Sequence, residues 1–171
     1  MNLAAYIASL VRPDLAGFRE VRKRHWSQRL FYWGNRDERL RQLFSHAPYS
    51  VSEAEWFMEA ALEWVHDYIL PVYQGDHDLP QSAAQTLEEL AGDCEDGAIL
   101  LGSMIVSGLE PEAWACAKLC VGTVDGQRQH AFLEWDRTDR RDTVLLDWTV
   151  SSRPLGRNEI SWSVESAAGL G

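Results

Sequence analysis

A change of hydrophobic period near Gly108 constrains this chain more than any other feature. Before it, in "SVSEAEWFMEAALEWVHDYILP" and "LAGDCEDGAILLGSMIVSG", apolar residues recur every three or four positions. After it, in "AWACAKLCVGTV", "QHAFLEW" and "TVLLDWTV", they alternate. The first period belongs to helices and the second to half-buried strands. Strand runs separated by "DGQR" and "DRTDRRD" read as an antiparallel meander. The expected class is therefore α+β, a helical N-terminal half packed on a small antiparallel sheet. At 171 residues, with 46% hydrophobic content and eight tryptophans, the chain is sized for a single domain with a substantial core.

Within that frame residues 1–75 read as mainly helical, 76–150 carry the chemistry-bearing segments and 151–171 form a tail with few elements of its own. The clearest helix opens on the capping pattern Ser52/Glu55, presents Phe57, Ala60, Ala61, Trp64, Val65 and Tyr68 on one face, and stops at Pro71. Nearer the N-terminus, Tyr6, Leu10, Phe18 and Val21 are inward candidates on helical segments interrupted by Pro13, Gly17 and "WGN". "YQGDHDLPQS" is a turn-rich loop and "AAQTLEEL" a short helical turn. A further helix runs from Cys94 to Ser107 with Gly108 at its end.

The net charge of −10 is unevenly placed. Nine Lys and Arg against four acids give residues 1–50 a charge of +5, so the rest carries −15, and no Lys or Arg occurs from Gln42 to Ala117. Such a field disfavours nucleic acid and suits cations or basic substrates, or serves as a solvating surface. The basic stretch "REVRKRHWSQR" suits an acidic partner, or a solvated helix face that balances the acidic body. There is no uninterrupted run of 18 apolar residues, and the first residues lack a signal peptide's basic start and cleavage site, so the expected location is the cytoplasm, with no membrane span. Three cysteines, with Cys116 and Cys120 on one strand, point away from a disulfide framework or structural zinc.

The remaining cysteine, Cys94, stands at a helix start between Asp93 and Glu95, with Asp96 following. First-turn N–H groups and the positive end of the helix dipole favour a thiolate there. A cysteine nucleophile needs a base, and the base an orienting acceptor. His130 begins the strand run after this helix, and Asp147 ends the apolar run "VLLD" one strand later. A hairpin turn centred between Thr138 and Asp139 would put His130 directly opposite Asp147, with Cβ atoms about 4.5–5.5 Å apart. A slip of one residue would send the two to opposite faces. Asp93 and Asp96 also suit a helix cap and a first-turn acid.

"GDCEDGAILLGSM", followed by strands bearing "QHAFLEW" and "LLDWT", resembles the transglutaminase-like superfamily of papain-like cysteine enzymes. Within it the chain is most similar to bacterial and phage transglutaminase-like cysteine proteinases, over roughly residues 76–150. The resemblance implies Cys94 as nucleophile, His130 as general base and then acid, and Asp147 as the group that fixes the imidazole tautomer. It further implies Gln81 as a candidate second oxyanion donor beside the Cys94 backbone N–H, and calcium at Asp93 and Glu95. The activity implied is acyl transfer from a peptide or glutamine amide through a thioester, with a protein or peptide as partner. Water as acceptor makes a protease or amidase, and lysine a cross-linking transglutaminase. A catalytically silent assembly or binding module, for instance in a phage particle, is the remaining class. Gly97 stands where the family often has an aromatic residue, a departure that bears on specificity.

Overall fold

The computed structural model describes residues 2–19, 38–73, 79–137 and 140–170. The basic segment 20–37, which includes Val21 and His25, and His77 in 74–78 lie outside the described residues. Helices α1 (Leu3–Ala8), α2 (Leu15–Arg19), α3 (38–43) and α4 (Ala54–Tyr68) make up the described N-terminal half. After them come β1 (Leu70–Pro71), α5 (Ala83–Glu89), β2 (Ala91–Gly92), α6 (Cys94–Gly108) and α7 (Pro111–Trp114). Strands β3 (Ala117–Val124), β4 (Gln127–Arg137), β5 (Asp142–Leu146), β6 (Leu155–Gly156) and β7 (Trp162–Gly169) complete the chain. Among the described residues no helix is long and apolar enough to cross a membrane.

The helix boundaries differ from expectation for local reasons. A single 3₁₀ turn, Val51–Glu53, precedes α4, and its cap is Ser50, whose N–H and hydroxyl both bind the Glu53 carboxylate. Glu55 is free of capping and instead binds Arg137 and Arg140. The buried face of α4 is wider than the periodicity suggested, because Met58 and Leu62 are fully buried beside Phe57, Ala61, Trp64 and Val65. In α1 the inward stripe is Ala4, Ile7 and Ala8, continued by Val11, while Tyr6 faces outward at 39% exposure. The first two residues of the first strand-like run, Ala113 and Trp114, are helical, because they belong to α7, which Pro111 opens.

Strands β3 to β7 form one antiparallel sheet in the order β6-β5-β4-β3-β7. The meander is thus as expected, but the tail does more than expected. It supplies both edges, β6 beside β5 and β7 beside β3. One sheet face packs on the helices through Leu119, Ala131, Leu133, Trp135, Val144 and Leu146. The other carries a smaller apolar cluster of Cys120, Val124, Phe132, Leu145, Leu155 and Trp162.

Helix α6 is the centre of the molecule, in contact with β4 and with α1, α2, α4 and α5. It is buried nearly all round, as its apolar composition requires. Its glycines admit neighbours that a side chain would exclude. A Cβ on Gly97 would fall on the Trp148 indole, and one on Gly108 would fall on the Phe57 ring. Gly102 receives Val11 and Leu170 from the two ends of the chain.

Because Phe57 is fully buried and has nowhere to retreat, Gly108→Ala is expected to destabilise the fold by about 1–3 kcal/mol through overpacking. A urea midpoint equal to that of the wild type would contradict this packing.

Candidate active site

The β4–β5 ladder pairs Leu133 with Leu146 and Glu134 with Leu145, so the turn is centred one residue later than the sequence suggested. In this register Asp147 is displaced by two positions from a place directly opposite His130. A slip of two conserves the face, whereas a slip of one would not. The ladder ends at Leu146, and from Asp147 the chain turns, with the N–H groups of Val150 and Ser151 on the Asp147 carbonyl. From that turn the carboxylate of Asp147 reaches back to His130 Nε2, with Nε2···Oδ2 at 2.6 Å. Both residues are buried.

The other oxygen of Asp147 accepts the Thr149 N–H at 3.0 Å and the Thr149 hydroxyl at 2.7 Å. With the carboxylate fixed by these bonds, Nε2 of a neutral His130 is the protonated nitrogen and Nδ1 is left as an acceptor. Phe132, two residues along the same strand, lies against the imidazole with ring centroids 6.2 Å apart.

Cys94 is the first residue of α6 because β2 and an aspartate pair stop the chain just before it. Residues 70–71 and 91–92 form a short parallel pair, and the helix then opens on a capping box. Asp93 accepts the Asp96 N–H, while Asp96 accepts the Asp93 N–H at 3.1 Å. Asp96 is 1% exposed and also accepts the Gln81 backbone N–H at 2.6 Å. Gln81 therefore reaches the helix start through its backbone. Its amide is turned elsewhere, accepting from the Thr86 hydroxyl and donating to Glu89.

The Cys94 thiol donates to Glu95 Oε2 at 3.1 Å and lies under the backbone N–H of Ala131, the residue after His130. Burial, then the charges of Glu95 and Asp93, push the thiol up to about 12, with only the Ala131 N–H acting in the other direction. The helix start by itself would favour the thiolate; here desolvation and two carboxylates outweigh it. Asp93 is pushed up to about 7, mainly by burial and then by Glu95 and Asp96.

On the far side of the helix start, Trp148 lies over Gly97 and its indole N–H donates to the Cys94 carbonyl at 3.4 Å. The structure thus brings Cys94 beside the His130 strand and joins His130 to Asp147. Thr149 and Trp148 have roles that the sequence suggested only as "LLDWT", with no sign of what either side chain touches.

No protein-family model and no curated protein sequence matches the chain. Among solved structures it is similar to Legionella pneumophila LapG in its EGTA-treated form, at 13% identity and a TM-score of 0.59, over 88% of this chain and 80% of that one. The calcium-bound form of LapG gives the same identity and TM-score over 91% of this chain and 87% of that one. The fold is transglutaminase-like. At this identity the transglutaminase-like likeness concerns the backbone; the chemistry rests on the residues.

Asp93, Cys94 and Glu95 place three potential ligand atoms within 4.8 Å of one another. Two crowded carboxylates, one with its proton affinity raised, suit a hard divalent cation such as calcium, which would relieve their repulsion. Asp93 and Glu95 would supply part of a six- to eight-oxygen shell.

Two variants separate these electrostatic effects. In the unfolded chain Asp93 loses its proton near pH 3.9 and in the fold only near 7, so its ionisation makes folding less favourable as pH rises through that window. Asp93→Asn keeps a good cap without the charge. Its urea midpoint is expected to exceed that of the wild type at pH 8, with the advantage shrinking towards pH 4.5; a pH-independent difference would contradict the assignment. Glu95→Gln removes a charge from beside the thiol and is expected to speed iodoacetamide modification of Cys94 at pH 7.5 by about tenfold, the effect of one pKa unit. No acceleration would mean that Glu95 does not hold the thiol protonated.

Proposed function

We propose that this protein is a cysteine-dependent acyl-transfer enzyme that acts on a peptide or glutamine amide, with water as the acceptor. The observation that carries this reading is the buried His130–Asp147 hydrogen bond of 2.6 Å, set one residue from the backbone N–H that faces the Cys94 thiol. The transglutaminase-like fold and the order Cys, His, Asp along the chain support it.

In this mechanism His130 Nδ1 takes the thiol proton as the sulfur bonds to the substrate carbonyl carbon, and Asp147 stabilises the imidazolium through Nε2–H. The carbonyl electrons move to oxygen, and the Cys94 N–H, a first-turn group without an intrahelical acceptor, faces that oxyanion. The C–N bond then breaks, the amine leaves with the proton from His130, and the acyl group remains on sulfur as a thioester. Water, deprotonated by His130, attacks the thioester, and the acid and free thiol are released. A lysine amine in place of water would make the same chain a transglutaminase. Calcium, if held by Asp93 and Glu95, would supply positive charge beside the thiol and draw their carboxylates from it.

The elevated thiol favours a second reading, a binding or assembly module in which the triad is silent. Intact-mass analysis after incubation with candidate peptides distinguishes the two. An acyl adduct is expected on Cys94, absent in Cys94→Ala and retained in Cys116→Ala and Cys120→Ala. Peptide turnover that persists in Cys94→Ala would sink the enzyme assignment.

A further inference from the structure

We propose that His66 is a positioning residue for the Cys94–His130–Asp147 site, acting through the backbone of Trp148. His66 stands in the last turn of α4, and its Nδ1 lies 2.7 Å from the Trp148 carbonyl oxygen, 82 residues away in sequence. A carbonyl only accepts, so the Nδ1–H donates. Nothing in the sequence pattern pairs these two residues.

The position of that carbonyl gives the bond its importance. Asp147 follows the last ladder pair of β5, so the sheet no longer fixes the backbone that carries it. Trp148 is the next residue, buried at 2% exposure, and it is gripped from two directions. Its indole covers Gly97 and binds the Cys94 carbonyl, while its own carbonyl is held by α4. A shift of the Trp148 peptide would therefore move the Asp147 carboxylate against His130 and the indole against the first residue of α6 in one motion. The neighbours of His66 on the inner face of α4, Leu62 and Val65, are fully buried, which makes the helix a rigid support. His66 itself is exposed, so its contribution lies in the hydrogen bond and not in core packing.

The catalytic part of this inference rests on the acyl-transfer reading above, but its structural part can be read without turnover. His66→Leu removes the donor, whereas in His66→Asn the side-chain amide nitrogen takes the place of Nδ1. In the full chain with ¹⁵N-labelled histidine, His66→Leu is expected to shift or broaden the His130 Nε2 proton resonance. Iodoacetamide modification of Cys94 is expected to slow by about tenfold, within the cost of misplacing a reacting group. Both readouts should return towards wild type in His66→Asn. An unchanged His130 resonance and an unchanged Cys94 rate in His66→Leu, with or without a lower melting temperature, would overturn the proposal. Failure of His66→Asn to restore either readout would overturn it too. Should wild-type Cys94 form no acyl adduct with any peptide, the enzyme reading fails, and the His130 resonance still decides the role of His66.

Discussion

One buried carboxylate, Asp96, sets the geometry on which the candidate site depends. At 1% exposure it must be satisfied by the protein, and it takes N–H groups from Gln81 and from Asp93. Those bonds tie the segment before α5 and the end of β2 to the first turn of α6. Gly92 is part of the same arrangement, since a Cβ there would collide with the Asp96 side chain. Cys94 has a fixed place because the residues on both sides of it are closed onto this one group. The three acids around the cysteine therefore divide their work: Asp96 faces inward and builds the helix start, while Asp93 and Glu95 stand at the thiol.

That division leaves the proposed nucleophile in a guarded state. The thiol is buried, donates to Glu95 and has its proton affinity raised, while the groups that would draw the proton away sit on the neighbouring strand. In the proposed acyl-transfer reading the thiol would keep its proton until a cation or a small movement of Glu95 changes the balance. Desolvation is the largest contribution, so filling the site with a substrate would not by itself lower the barrier; the positive charge must come from His130 or from outside.

Much of this was legible in the sequence. The change of period near Gly108 separates the helical half from the meander, and the type of residue at 94, 130 and 147 in that order suggests nucleophile, base and orienting acid. What the sequence did not disclose has physical causes. The capping box forms at Ser50 and Glu53, not at Ser52 and Glu55, because a 3₁₀ turn precedes α4, and closely spaced Ser and Glu residues offer more than one capping pattern. The edge strand β6 is too short, at two residues, to show an alternation, and β7 has mostly exposed or half-buried residues with a weak apolar pattern. Gln81, near the cysteine in space, has its amide drawn off by Thr86 and Glu89, a local preference that spacing alone cannot reveal. His66 and Trp148 meet through a backbone carbonyl, and side-chain patterns carry no information about such a partner.

The two-residue displacement between His130 and Asp147 also says something about how the connection between β4 and β5 can change over time. Because strand side chains alternate, a register shift of two leaves the imidazole and the carboxylate on the same side of the sheet, within reach of the turn at 147–150 that follows the last ladder pair. A register shift of one would send them to opposite faces. Change in the pairing of this hairpin is thus filtered by parity, and the meeting of the two side chains becomes a counting rule written into the ladder beside them.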